Sequence, residues 1–178
     1  MRLLVAGNAL SDYDVEWVNL ALDGLDGLDA ATTALASLKR MADLAPRVIL
    51  PSHGPIPADP TAAFDTALRR AQRLVDDPDA AVWYGARRIF AFALMIRGGI
   101  ASDEVEPYLL ARAWLTDAAR LLDLTPEALA TELVATMLRS GALVLHDGRL
   151  HAAADHTPVA TESLRVPYPR AWPATELR

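Results

Sequence analysis

Residues 47–57, RVILPSHGPIP, constrain this chain more tightly than any other stretch. Val48, Ile49 and Leu50 make a short apolar run rich in β-branched residues, the pattern of a buried strand, and Pro51 stops it by removing a ladder donor. His53 follows between Ser52 and Gly54, with Pro55 and Pro57 beyond. The prolines on either side fix φ, while Gly54 opens backbone conformations closed to other residues, so the loop can hold an imidazole at one place and angle. A histidine held in this way at the C-terminal end of a strand is a candidate metal ligand. The plainer alternative is a turn histidine half in solvent.

The chain has 178 residues, of which 52% are hydrophobic, with a mean hydropathy of +0.16, enough for one ordinary folded domain or two small ones. It contains no cysteine, so disulfides and thiolate metal sites are excluded and any metal must be held by His, Asp, Glu or Asn. No apolar run approaches the roughly 18 residues of a membrane span, and the N-terminus lacks the pattern of a secretory signal. The expectation is a soluble, cytoplasmic protein with no membrane partner. A net charge of −6 and a pI near 5.1 argue against nucleic acid as the main partner.

The chain opens on MRLLVAG, where Leu3, Leu4, Val5 and Ala6 form the continuous apolar run of a strand covered on both faces. A buried strand with no turn or cap before it leads us to expect further chain ahead of it. Asn8 comes immediately after Gly7 and begins a polar loop containing Asp12 and Asp14, which are turn-capping residues or weaker metal candidates. Residues 17–22 suit a short strand or a helical turn, and residues 23–29 suit a loop. Leu28, Leu35, Leu38, Met41 and Ala42 then fall at helical spacing, with Pro46 at the exit. The order strand, loop, helix, strand puts a polar side chain at each strand's C-terminal end, the edge where layered α/β folds hold ligands.

Asp59 and Pro60 start a helix whose apolar face is Phe64, Leu68, Ala71 and Val75. Arg69, Arg70 and Arg73 form a solvated face answered by Asp65, Asp76 and Asp77. Composition changes at Asp76-Asp77-Pro78-Asp79, which divides the chain into residues 1–78 and 79–153, followed by a tail, 154–178. The second part carries one helix from Ala80 to Arg97 ended by Gly98-Gly99, and another capped by Ser102 that runs through Leu109, Trp114 and Leu121. A third opens at Thr125-Pro126. Asp147-Gly148 between two apolar runs is a strong hairpin signal. Three helices and a hairpin predict a winged-helix-like module. The tail contains Pro158, Pro167, Pro169 and Pro173, which predict an extended or disordered end touching the body through Tyr168 and Trp172.

Several segments together resemble the C-terminal half of a metallo-β-lactamase-fold metallohydrolase with an appended helical, winged-helix-like domain. They are LLVAGNAL, SLKRMADLAPRVILPSHGPIP, GARRIFAFALMIRGGI and TPEALATELVATMLRSGALVLHDGRL, and the likeness extends over residues 1–152. The resemblance implies an α/β fold, a partial αββα half, followed by a mostly helical module. It implies a zinc-dependent enzyme in which metal-bound hydroxide attacks an ester, thioester, lactone or amide. In that family an aspartate of a Gly-Asp pair bridges two metal ions and a later HGP histidine binds the second. By position these roles fall on Asn8 and His53. Asn8 departs from the pattern, since a neutral amide replaces the carboxylate that balances a pair of dications. The family's H-x-H-x-D-H cluster has no counterpart here.

His146 and His151 flank the hairpin turn and His156 lies in the tail, so all three are expected to face solvent. One histidine and one amide fall short of the three or four ligands of a zinc site, so the chain is expected to be inactive alone and to bind zinc weakly or not at all. A different class of function is a non-catalytic scaffold that pairs with another chain, or with its own copy, along an exposed sheet edge. The winged-helix nucleic-acid binder is the lesser alternative. Its expected reading elements have Arg139 and Arg149 as their basic residues beside Glu127, Glu132 and Asp147. Trp83, Tyr84, Phe90 and Phe92 are expected to be mainly packing, with Trp83 and Tyr84 as one possible wall of a substrate pocket.

Overall fold

The computed structural model describes residues 2–10, 28–52 and 54–154. Among these the fold is mixed α/β and mainly helical, with two small sheets. The first sheet pairs β1 (Leu3–Gly7) in parallel with β2 (Val48–Pro51), joined through α1 (Leu28–Asp43). Parallel neighbours require such a crossover. Helix α1 leaves through Ala45, whose N–H donates to Ala42 at 2.8 Å with φ at +43°, just before Pro46.

Helix α2 (Pro60–Asp76) begins where local chemistry directs it. The Asp59 carboxylate accepts from the Thr61 and Ala62 N–H groups, and Pro60 takes the first helical position, where a missing N–H is harmless. Leu35, Leu38, Phe64, Ala67 and Ala71 pack with Ala6, Leu10 and Ile49 into one buried cluster. Both helices lend their apolar stripes to one face of the two-stranded sheet.

The other face of β1 differs from its expected burial. Leu3 is 49% exposed and Val5 71%, whereas Leu4 and Ala6 turn toward the helices. Strand residues alternate between faces, and among the described residues the helices pack on only one of them. On α2, Arg69 donates to Thr66 at 3.1 Å and Asp76 accepts from Gln72 at 2.9 Å.

Asp77 joins α2 to α3 (Pro78–Arg97). Its N–H donates back to Arg73 and its carboxylate accepts from Ala80, so one residue closes one helix and opens the next. The second helix thus starts slightly earlier than its apolar pattern predicts. Val82, Ala86, Phe90 and Leu94 form its buried row at four-residue spacing. Gly98, in the left-handed region at φ +61°, ends α3, with N–H bonds from Gly98 to Met95 and from Gly99 to Leu94.

Beyond it come β3 (Ile100–Ala101), α4 (Val105–Leu110), α5 (Ala113–Leu121), α6 (Pro126–Arg139) and the hairpin β4 (Leu143–His146) and β5 (Arg149–Ala152). The hairpin turn is the expected one, with Asp147 and Gly148 both at positive φ. Strand β3 is not foreseen in the sequence. It adds antiparallel to β5, giving the order β3-β5-β4.

The expected long helix from Ser102 divides into α4 and α5. Arg112 sits in extended backbone between them, its Nε donating to the Tyr108 carbonyl at 3.2 Å and its guanidinium lying over the Tyr108 ring. A side chain thus meets a carbonyl at the end of α4, so the chain can turn. Ser102 caps nothing, because its N–H and hydroxyl both donate to the Gly148 carbonyl, at 3.0 and 2.7 Å. Thr125 does cap α6, accepting from Ala128 at 3.2 Å. A second buried cluster, with Phe90, Leu94, Leu109, Leu115, Leu129, Leu133 and Met137 at its centre, unites α3 to α6 with Leu143 and Leu150 of the hairpin.

Candidate functional site

The C-terminal ends of β1 and β2 lie side by side. The parallel register runs from Leu3 opposite Val48 to Gly7 opposite Pro51, with an irregularity between Val5 and Gly7. At the last rung the Ser52 N–H donates to the Gly7 carbonyl at 2.8 Å. In a parallel ladder a residue's carbonyl accepts from the residue after its partner, so this is the closing bond of the Gly7–Pro51 pair, and the missing N–H of Pro51 costs the ladder nothing there.

Gly7 has φ +60°, and the Ala9 N–H donates to Ala6 at 3.1 Å, so the chain turns sharply as β1 ends. A Cβ at Gly7 would come within 3.9 Å of the Ser52 hydroxyl, ordinary contact, so it is the backbone angle that favours glycine here. Asn8 occupies this turn and is exposed.

His53 lies outside the described residues, as do Asp12, Asp14, residues 17–22, His156 and the tail. Both neighbours of His53 are described. Ser52 is bonded to Gly7, and Gly54 has φ +77°, the use of glycine that the loop sequence calls for. Pro57 is buried just before the Asp59 cap and anchors the far end of the loop, while Ile56 is 58% exposed. Ser52 is the residue that sequence reasoning overlooks. No local pattern marks it, because its bond to Gly7 depends on the pairing of strands more than 40 residues apart.

Among the described residues, no three His, Asp or Glu side chains come together as a metal centre. His146 is exposed, with Nδ1 3.3 Å from the Asp147 carboxylate. His151 departs from its expected solvent position, being half-buried against Gly99 with its ring 6.4 Å from that of His146. Arg87 lies over Trp83, and Arg88 lies between Tyr84 and Phe92, donating to the Tyr84 hydroxyl at 3.2 Å. Trp83 packs on the second cluster and Phe92 turns outward. A cavity of about 500 Å³ between α1 and α2 is lined by Leu35, Lys39, Leu68, Arg69, Gln72, Arg73 and Asp76, away from the strand ends. No helix among the described residues is long and apolar enough to cross a membrane.

Compared with known proteins, the chain matches no family model, no curated protein and no solved structure.

Proposed function

We propose that this chain is the C-terminal portion of a metallo-β-lactamase-fold metallohydrolase. Residues 1–78 form part of its αββα domain, residues 79–153 an appended winged-helix-like module, and Asn8 and His53 the metal ligands it carries. Its substrate, once an N-terminal half completes it, is a small molecule with an ester, thioester, lactone or amide bond. The observation that supports this most is the Ser52 N–H to Gly7 bond, because it ties together the backbone immediately before each ligand position. The order of α3 to β5, with β3 added beside the hairpin, is in keeping with the appended module.

The donor set does not fit a two-zinc centre. One imidazole and one neutral amide provide neither the number of ligands nor the negative charge that two dications require. Hydrolysis by the isolated chain is therefore not expected. Assaying the purified chain on ester, thioester and lactone substrates with and without zinc tests this, alongside zinc binding by equilibrium dialysis. The expected result is no zinc-dependent turnover and weak binding that is lost in His53→Ala. Zinc-dependent turnover would overturn the claim of inactivity, and binding unchanged in His53→Ala would overturn the ligand assignment.

A second reading, a non-catalytic scaffold pairing with another chain or its own copy, draws on the exposed Leu3 and Val5 of a sheet that has two strands among the described residues. A concentration-independent monomer by sedimentation would count against self-pairing. Nucleic-acid recognition is disfavoured by charge, since Glu127, Glu132 and Asp147 outnumber Arg139 and Arg149 on α6 and the hairpin.

A further inference from the structure

Helices α4 and α6 and the three-stranded sheet enclose a groove of about 390 Å³ near the hairpin turn. Its apolar walls are Val105, Leu109, Val134, Leu138, Leu145 and Leu150. Leu145 pairs with Leu150 across the hairpin and shares its sheet face with buried Leu143 and Leu150, yet it is 63% exposed. Strand alternation directs it to the core side, where the described residues leave it uncovered. Leu138 beside it is 41% exposed. One rim is acidic: Glu106 lines the groove, and Asp103 and Glu104 lie in the exposed turn before α4.

We propose that the groove binds this chain's own C-terminal segment, residues 164–172, LRVPYPRAW. The segment is complementary in chemistry. Leu164, Val166, Tyr168 and Trp172 offer apolar surface, and Arg165 and Arg170 offer positive charge with no acid among them. Pro167 and Pro169 restrict the backbone and so reduce the entropy lost when an extended segment is fixed in a groove.

The tether also suffices. Leu150, itself a groove wall, precedes Ala154 by four residues, at most about 13 Å of chain, of which β5 ends at Ala152. Residues 155–163 can span up to about 30 Å, enough to double back. Covalent attachment adds an effective concentration of order millimolar, so a modest intrinsic affinity is enough for occupancy.

The absence of native cysteine makes the test direct. In the full chain, Ala171→Cys is combined with Leu145→Cys in the groove or, as a control, with Phe92→Cys, which is 52% exposed on α3 and is not a wall of the groove. Under mild oxidation the groove pair is expected to form an intramolecular disulfide at least about tenfold faster than the control pair. Adding Arg165→Glu and Arg170→Glu should slow that reaction toward the control rate. Equal rates for the two pairs would overturn the proposal. So would a disulfide-linked dimer as the main product, which would make a second copy the occupant.

Discussion

Gly99 shows how one residue can be fixed by a contact far away in sequence. It sits at φ +88°, and a Cβ there would come within 2.5 Å of the His151 imidazole, while its carbonyl accepts from Arg149. Gly99→Ala therefore meets both backbone strain and a clash, and should cost on the order of 1–3 kcal/mol in urea unfolding, against almost nothing for a substitution at an ordinary surface residue. Local residue roles were legible in the sequence. Asp59 and Thr125 cap their helices, Gly98 terminates α3 and Asp147-Gly148 makes the turn, because in each case the partner lies within a few positions. Ser102 departs from its expected capping role for the opposite reason: its acceptor, Gly148, is 46 residues away. Asn8 stands between these cases. Its place at the end of β1 is readable from the apolar run before it, while its nearness to Ser52 depends on strands paired across α1.

At the scale of elements, apolar periodicity located α1, α2, α3 and α6, each of which presents an apolar stripe to a core. It failed at the junction of α4 and α5, where apolar spacing continues across a real break. The break rests on Arg112 bonding the Tyr108 carbonyl and stacking on the same ring, interactions invisible to a hydrophobic pattern. Arg112→Ala should lower stability by about 1–2 kcal/mol through these lost contacts, measured by chemical denaturation. Thr125→Ala should cost about 1 kcal/mol by removing the α6 cap. Strand β3 was missed because two residues carry no readable period, and it exists through its pairing with β5. The double-sided cover expected for β1 is not found among the described residues, because α1 and α2 both pack on the face of Leu4 and Ala6 and leave Leu3 and Val5 exposed.

Over the whole molecule, the described residues hold two buried clusters, one built on β1, β2, α1 and α2 and the other on α3 to β5. Leu133 is completely buried in the second, so Leu133→Ala should cost about 2–5 kcal/mol. Hydrogen exchange should show lost protection concentrated in α3 to β5, with α1 and α2 little changed; equal loss in both clusters would mean that they unfold as one unit. Each cluster was largely legible from its apolar residues, but the way strand ends meet was not, because register is a long-range property. If Asn8 and His53 serve one metal site, as we propose, a double-mutant cycle on zinc affinity will show it. Asn8→Asp supplies the missing carboxylate and should tighten binding by about tenfold or more, and this gain should vanish when His53→Ala is added. An Asn8→Asp effect that persists in full without His53, or no effect at all, would contradict it.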